Sequence, residues 1–152
     1  MEYAEYAALY PDGPEEGVFE RLRWQARRIM EQFTTGVDGV CKLRIAPPMD
    51  GYGAEAVSLC EAALIRKLWQ GEQVESYVNR EDETVTGRVV TGMTAGAESV
   101  TFAAPAAGGT GREERAALLR QTVSEYLGGV CDGNGVNLLY MGKYPVEVDG
   151  DV

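Results

Sequence analysis

Side chains suited to chemistry are sparse in this chain, and their spacing works against most reactions. No histidine occurs among the 152 residues, so the group that most readily exchanges protons at neutral pH is missing. Ser-His-Asp and Cys-His arrangements are excluded with it. Three cysteines, Cys41, Cys60 and Cys131, stand far apart with no Cys-x-x-Cys pair, which argues against a zinc site. Adjacent carboxylates occur at Glu15-Glu16 and Glu113-Glu114; at helix starts such pairs serve the helix dipole. Asp132-Gly133-Asn134-Gly135 begins like a calcium loop, but Val136 and Lys143 fall where that loop needs oxygen ligands. Asn and Gly populate turns freely, so a turn is expected there. Gly142-Lys143 lacks the upstream glycine spacing and the Ser/Thr of a phosphate loop. The sequence therefore predicts no catalytic residue, no metal site and no cofactor, and the chain reads as a non-enzyme.

Composition sets further bounds. An apolar share of 45% suits a folded chain, and 152 residues suffice for one domain around one core. The start, Met1-Glu2-Tyr3-Ala4-Glu5-Tyr6, is acidic where a signal peptide is basic, and no apolar run reaches the roughly 18 residues of a membrane span. A soluble protein made in a cytoplasm, with no membrane partner, is expected. The net charge of −10 repels DNA phosphates and disfavours a conventional nucleic-acid reader. It suits either simple solubility or a surface that lies near DNA without gripping it.

The elements that would position these residues are mainly helical. Pro11-Asp12-Gly13-Pro14 is a turn signal closing a tyrosine-rich arm, residues 1–13. Asp12 as cap and Pro14 as first residue predict a helix over 14–33. Phe19, Leu22, Ala26, Ile29, Met30 and Phe33 fall in one arc of it at 100° per residue. Trp24 lies outside that arc, among Arg21, Arg23, Arg27 and Arg28. It reads either as a ring laid over arginine stems or as a subunit contact, because interfaces favour Trp and Arg. A Gly/Pro-rich stretch from Gly36 to Gly53 carries a short apolar element, Val40 to Ile45, read as extended. The second helix, 54–70, is apolar nearly all round through Ala56, Val57, Cys60, Ala63, Leu64, Ile65, Leu68 and Trp69. Such a helix is central and packed on several sides, one of which another chain could cover. Cys60 on its apolar side is expected to behave as a small hydrophobe.

After a polar, acidic stretch, Val85, Val89 and Val90 and then Val100-Thr101-Phe102 flank a Gly/Ala/Thr region, which predicts a β-hairpin over 84–103. An isolated hairpin is marginal in water, so it must pair or pack with something else. An Ala/Gly/Pro linker leads to a third helix, 112–127, with Ala116, Leu119, Val123, Tyr126 and Leu127 on one face and Gly128-Gly129 at its end. Residues 128–152 form a C-terminal loop and acidic tail. The expected fold is a single domain, mainly α, with three helices packed as a small bundle and one hairpin.

The order of these features resembles the head–tail connector, or head-completion, proteins of long-tailed bacteriophages and prophages. Four local patterns carry the resemblance across about residues 15–144. The first helix runs into Phe33-Thr34-Thr35-Gly36, and an alanine-bearing central helix follows at Ala56 to Leu64. Gly96 to Phe102 is similar to the family's hairpin strand after that helix. Tyr126-Leu127-Gly128 followed by Leu138-Leu139-Tyr140-Met141-Gly142 is similar to its closing helix and Leu-Leu-Tyr-x-Gly tail. The chain departs in a longer loop between Gly128 and Leu138, a longer segment before the hairpin, and the glycine-rich linker at 103–111.

The resemblance implies a structural part of the virion at the head–tail interface. Subunits would form a homo-oligomeric ring of about a dozen copies beneath the portal protein, extend the DNA channel, and offer a docking face to a tail or stopper protein. Double-stranded DNA would pass without sequence-specific binding, past an acidic wall that does not hold phosphates. Trp24, Arg28, Trp69, Val89, Val100 and Phe102 are the candidate subunit-interface residues, the hairpin being an edge that another chain can extend. Two other readings fit the same residues: a tail-completion or neck protein, and an acidic DNA mimic that inhibits a host protein. Acids and arginines mingle on the first helix, which counts against the mimic.

Overall fold

The computed structural model describes residues 1–81, 89–93, 100–103 and 110–145, and the chain is mainly helical. It divides into two compact units, one made of Met1–Trp69 with Leu118–Val152 and the other of Gln70–Ala117.

The first unit begins with α1 (Tyr3–Leu9), a helix where a tyrosine-rich arm was expected. Two local facts explain it. The Glu5 carboxylate accepts from the Glu2 backbone N–H at 2.9 Å, satisfying a donor that a helix start leaves open. Tyr6, fully buried, packs its ring 5.1 Å from Phe19, and Tyr3 lies 5.4 Å from the same ring.

Helix α2 (Glu16–Phe33) has Glu15, not Asp12, at its N-cap, and Pro14 lies before the helix. It buries Phe19, Leu22, Ala26 and Met30, spaced by three or four residues on one face. Thr34 closes it: the backbone N–H and the side-chain Oγ1 both donate to the Met30 carbonyl, at 3.0 and 2.9 Å. Thr35 Oγ1 donates to the Glu31 carbonyl at 2.6 Å.

The short apolar element after Gly36 is not extended. It forms α3 (Lys42–Ile45), a single helical turn directly after a bridge between Thr35 and Cys41. A strand would send neighbouring residues to opposite faces. The helical turn lets Lys42 become fully buried while the adjacent Leu43 packs on the core.

Helix α4 (Gly51–Glu81) is longer at both ends than the 54–70 read from the sequence. The Asp50 carbonyl accepts from the Ala54 N–H at 3.1 Å, drawing the glycine-bearing turn into the helix. Within this unit, Cys60 to Ile65 are six consecutive buried residues, the signature of a helix covered on every side. Helix α5 (Thr110–Leu127) contributes Val123 and Leu127 to the same core, and Val130 and Leu138 complete it. Gly128 ends α5 with its N–H on the Ser124 carbonyl at 3.0 Å.

In the second unit, Gly71 is a close-packing site inside α4. A methyl group there would meet the Arg115 guanidinium at 2.9 Å, and Arg115 pairs with Glu75 at 2.8 Å. Strand β1 (Val89–Met93) pairs antiparallel with β2 (Val100–Ala103), Val89 opposite Ala103 and Met93 opposite Val100, with a register shift between Val90 and Gly92. The remainder of the 84–103 segment, and the tail beyond 145, lie outside the described residues. The three helices read from the sequence are present as α2, α4 and α5, and the described residues add two short ones, α1 and α3.

Candidate functional site

Two Asp-Gly turns sit at one end of the first unit and share a clasp. Around Asp38, the Oδ1 atom accepts from the Val40 N–H at 3.1 Å, and Gly39 adopts φ of 79°. Around Asp132, Oδ1 accepts from the N–H groups of Asn134 and Val136 at 2.9 and 2.8 Å, and Gly135 also has φ of 79°. That backbone conformation favours glycine, which explains both turns. Tyr144 joins them: its backbone N–H donates to Asp38 Oδ2 at 2.6 Å and its hydroxyl to Asp132 Oδ2 at 2.5 Å. The Asp132 carboxylate therefore accepts from three protein donors, the arrangement of a turn.

These bonds set the protonation of the clasp. The backbone N–H of Tyr144, then that of Val40, holds the Asp38 carboxyl below its ordinary value, and burial followed by the Asp132 bond pushes the Tyr144 phenol up. A carboxyl with a depressed folded pKa contributes stability above its unfolded value, about 4, which drains as pH falls through the folded value. Protection of the Tyr144 amide, its exchange rate relative to the intrinsic rate at each pH, is expected to be constant from neutral pH down to about 4 and to fall below it. Tyr144→Phe should leave that profile in place while costing about 1 kcal/mol, the size of one hydroxyl hydrogen bond. Unchanged exchange in Asp38→Asn at neutral pH would contradict the assignment.

Two further charged side chains are buried, and one of them, Glu61, also lines a groove of about 340 Å³ with Met1, Arg27, Glu31 and Ser58. Glu61 receives the Met1 ammonium on Oε2 at 3.0 Å and Arg27 Nε on Oε1 at 2.8 Å, with Arg23 Nε 3.7 Å away. Lys42 Nζ donates to the Thr34 carbonyl at 3.1 Å, at the negative end of α2. Neither was singled out in the sequence. Both sit inside apolar runs, Leu59-Cys60-Glu61-Ala62-Ala63 and Val40-Cys41-Lys42-Leu43, which is the signal that could have found them. Cys60 is buried and its thiol is pushed up to about 12 by burial and then by Glu61, so it is held as the inert thiol. Among the described residues no group of His, Cys, Asp or Glu could hold a metal ion, and no helix is long and apolar enough to cross a membrane.

Surface features are more distinctive. Trp24 is 61% exposed on α2, and the Arg28 guanidinium lies 4.9 Å from its ring centroid. Gln25, Ile29 and Gln32 complete a shallow depression around the pair. Trp69 differs: it is partly buried, packed against the core of the unit. The side chains of Val89, Val100 and Phe102 lie outside the described residues.

A second apolar surface comes from residues that had been read as connecting loop. Met49 is 89% and Tyr52 73% exposed, flanked by exposed Asp50 and Glu55. Val37, 80% exposed, donates its backbone N–H to the Met141 carbonyl at 2.9 Å, with Tyr140 and Met141 also exposed. Large apolar side chains so exposed mark contact surfaces when they gather. No family model, no curated protein and no solved structure matches the chain.

Proposed function

We propose that the chain is a non-enzymatic virion structural protein, a head–tail connector subunit that forms a ring below the portal and extends the DNA channel. The observation that carries this reading is the exposed Trp24–Arg28 pair on α2, a rigid aromatic and cation presented to solvent on a unit whose core is already filled by other residues. The ordered patterns around Phe33 to Gly36, Ala56 to Leu64 and Leu138 to Gly142 support the family. The net charge of −10 suits a wall past which DNA slides, because phosphates are not retained on it. In this reading the exposed Val37, Tyr140 and Met141 give the ring a docking face for a portal or a tail-side protein.

Binding to two immobilised partners tests it. The chain is expected to bind a portal ring and not an isolated tail tube from the same source. The reverse preference would make it a tail-completion protein, and binding to neither, with inhibition of a host DNA-binding protein, would make it an acidic mimic.

A further inference from the structure

We infer that the first unit carries two complementary faces that pair head to tail between copies of this chain: the Trp24–Arg28 face of α2, and the Met49–Tyr52 face with Asp50 and Glu55 at the start of α4. The inference deepens the connector reading by naming which surfaces meet. The partner is a second copy because the two faces match in kind. One offers an aromatic ring and a guanidinium; the other offers two exposed apolar side chains flanked by two exposed carboxylates. Trp24 already stacks with Arg28, so little side-chain freedom remains to be lost on contact.

The faces do not meet within one chain. Arg23 and Arg27 turn toward Glu61 of α4, and Trp24 and Arg28 fall outside that arc at 100° per residue. On α4, Ala54, Ser58 and Glu61 line the groove shared with Arg27 and Glu31 of α2, and Tyr52 and Glu55 fall outside that stripe. Two different patches on one molecule give a heterologous contact, which closes into a ring when the rotation allows. An isologous contact would instead use a single patch twice.

Complementation of two variants decides it. Trp24→Ala and Tyr52→Ala each remove a mostly exposed side chain, so both should keep the helical content of the unaltered chain. Each alone should associate at least tenfold more weakly than the unaltered chain, as loss of a central aromatic anchor implies. Mixed in equal amounts, they should form dimers and nothing larger, because each supplies the face the other lacks. Self-association of Tyr52→Ala at the unaltered strength would overturn the inference, as would failure of the mixture to dimerise. An unaltered chain that stays monomeric up to millimolar concentration, with the portal ring as without it, would overturn it too. Copies that pair in this way yet ignore the portal would sink the connector reading and leave the pairing standing.

Discussion

Replacing Glu61 by alanine is expected to lower the unfolding free energy by about 3 kcal/mol, the low end of the range for breaking a buried ion pair. The carboxylate is nearly inaccessible and receives two cations directly, the Met1 ammonium and Arg27, with Arg23 close by. Truncation removes the acceptor but leaves the ammonium and the mostly buried Arg23 in place. The Arg23 guanidinium keeps its pairs with Glu2 and Glu20, at 3.5 and 3.4 Å, but its Nε has no hydrogen-bond partner even with Glu61 present. Arg27 is half exposed and can turn to water, which holds the cost below the upper limit. Arg27→Ala should accordingly cost under about 1 kcal/mol. Denaturant titration of both variants measures the difference, and equal small losses would mean that Glu61 is hydrated in solution.

Lys42→Ala should cost about 3 kcal/mol, and Lys42→Met about 1 kcal/mol or less. Lys42 is fully buried, so its four methylenes fill space that alanine leaves empty. The charge adds less than the volume. The Thr34 carbonyl also accepts from the Lys42 backbone N–H at 3.2 Å, so methionine leaves that acceptor satisfied. What methionine loses is the attraction of an ammonium to the carbonyl end of α2 and to Asp38. Equal losses in the two variants would show that the charge, and not the filling, holds the turn between α2 and α3 in place.

These two side chains also show where sequence reasoning stops. The buried face of α2 was legible because its apolar residues recur with the helical period, and Trp24 was legible because an aromatic among four arginines breaks that pattern. Glu61 and Lys42 were not. Their apolar neighbours signal burial, but their partners lie 60 and 8 residues away, and spacing along one helix does not encode such pairings. The reach of α4 past Gln70 was not legible because the residues from Gly71 onward are mostly polar and acidic and carry no clear apolar period. The partial burial of Trp69 against the core was not legible, because an all-round apolar helix gives no sign of which side its own domain covers. Met49 and Tyr52 went unnoticed because a Gly/Pro-rich stretch is read as a connection, and a loop's exposed residues carry no periodic signal.

The connector reading is tested most directly by molar mass from light scattering across a concentration series, with and without a portal ring from the same source. A ring-sized species that binds the portal, formed by the chain alone or on addition of the portal, is the predicted result. A strict monomer at every concentration, unchanged by the portal, would contradict it.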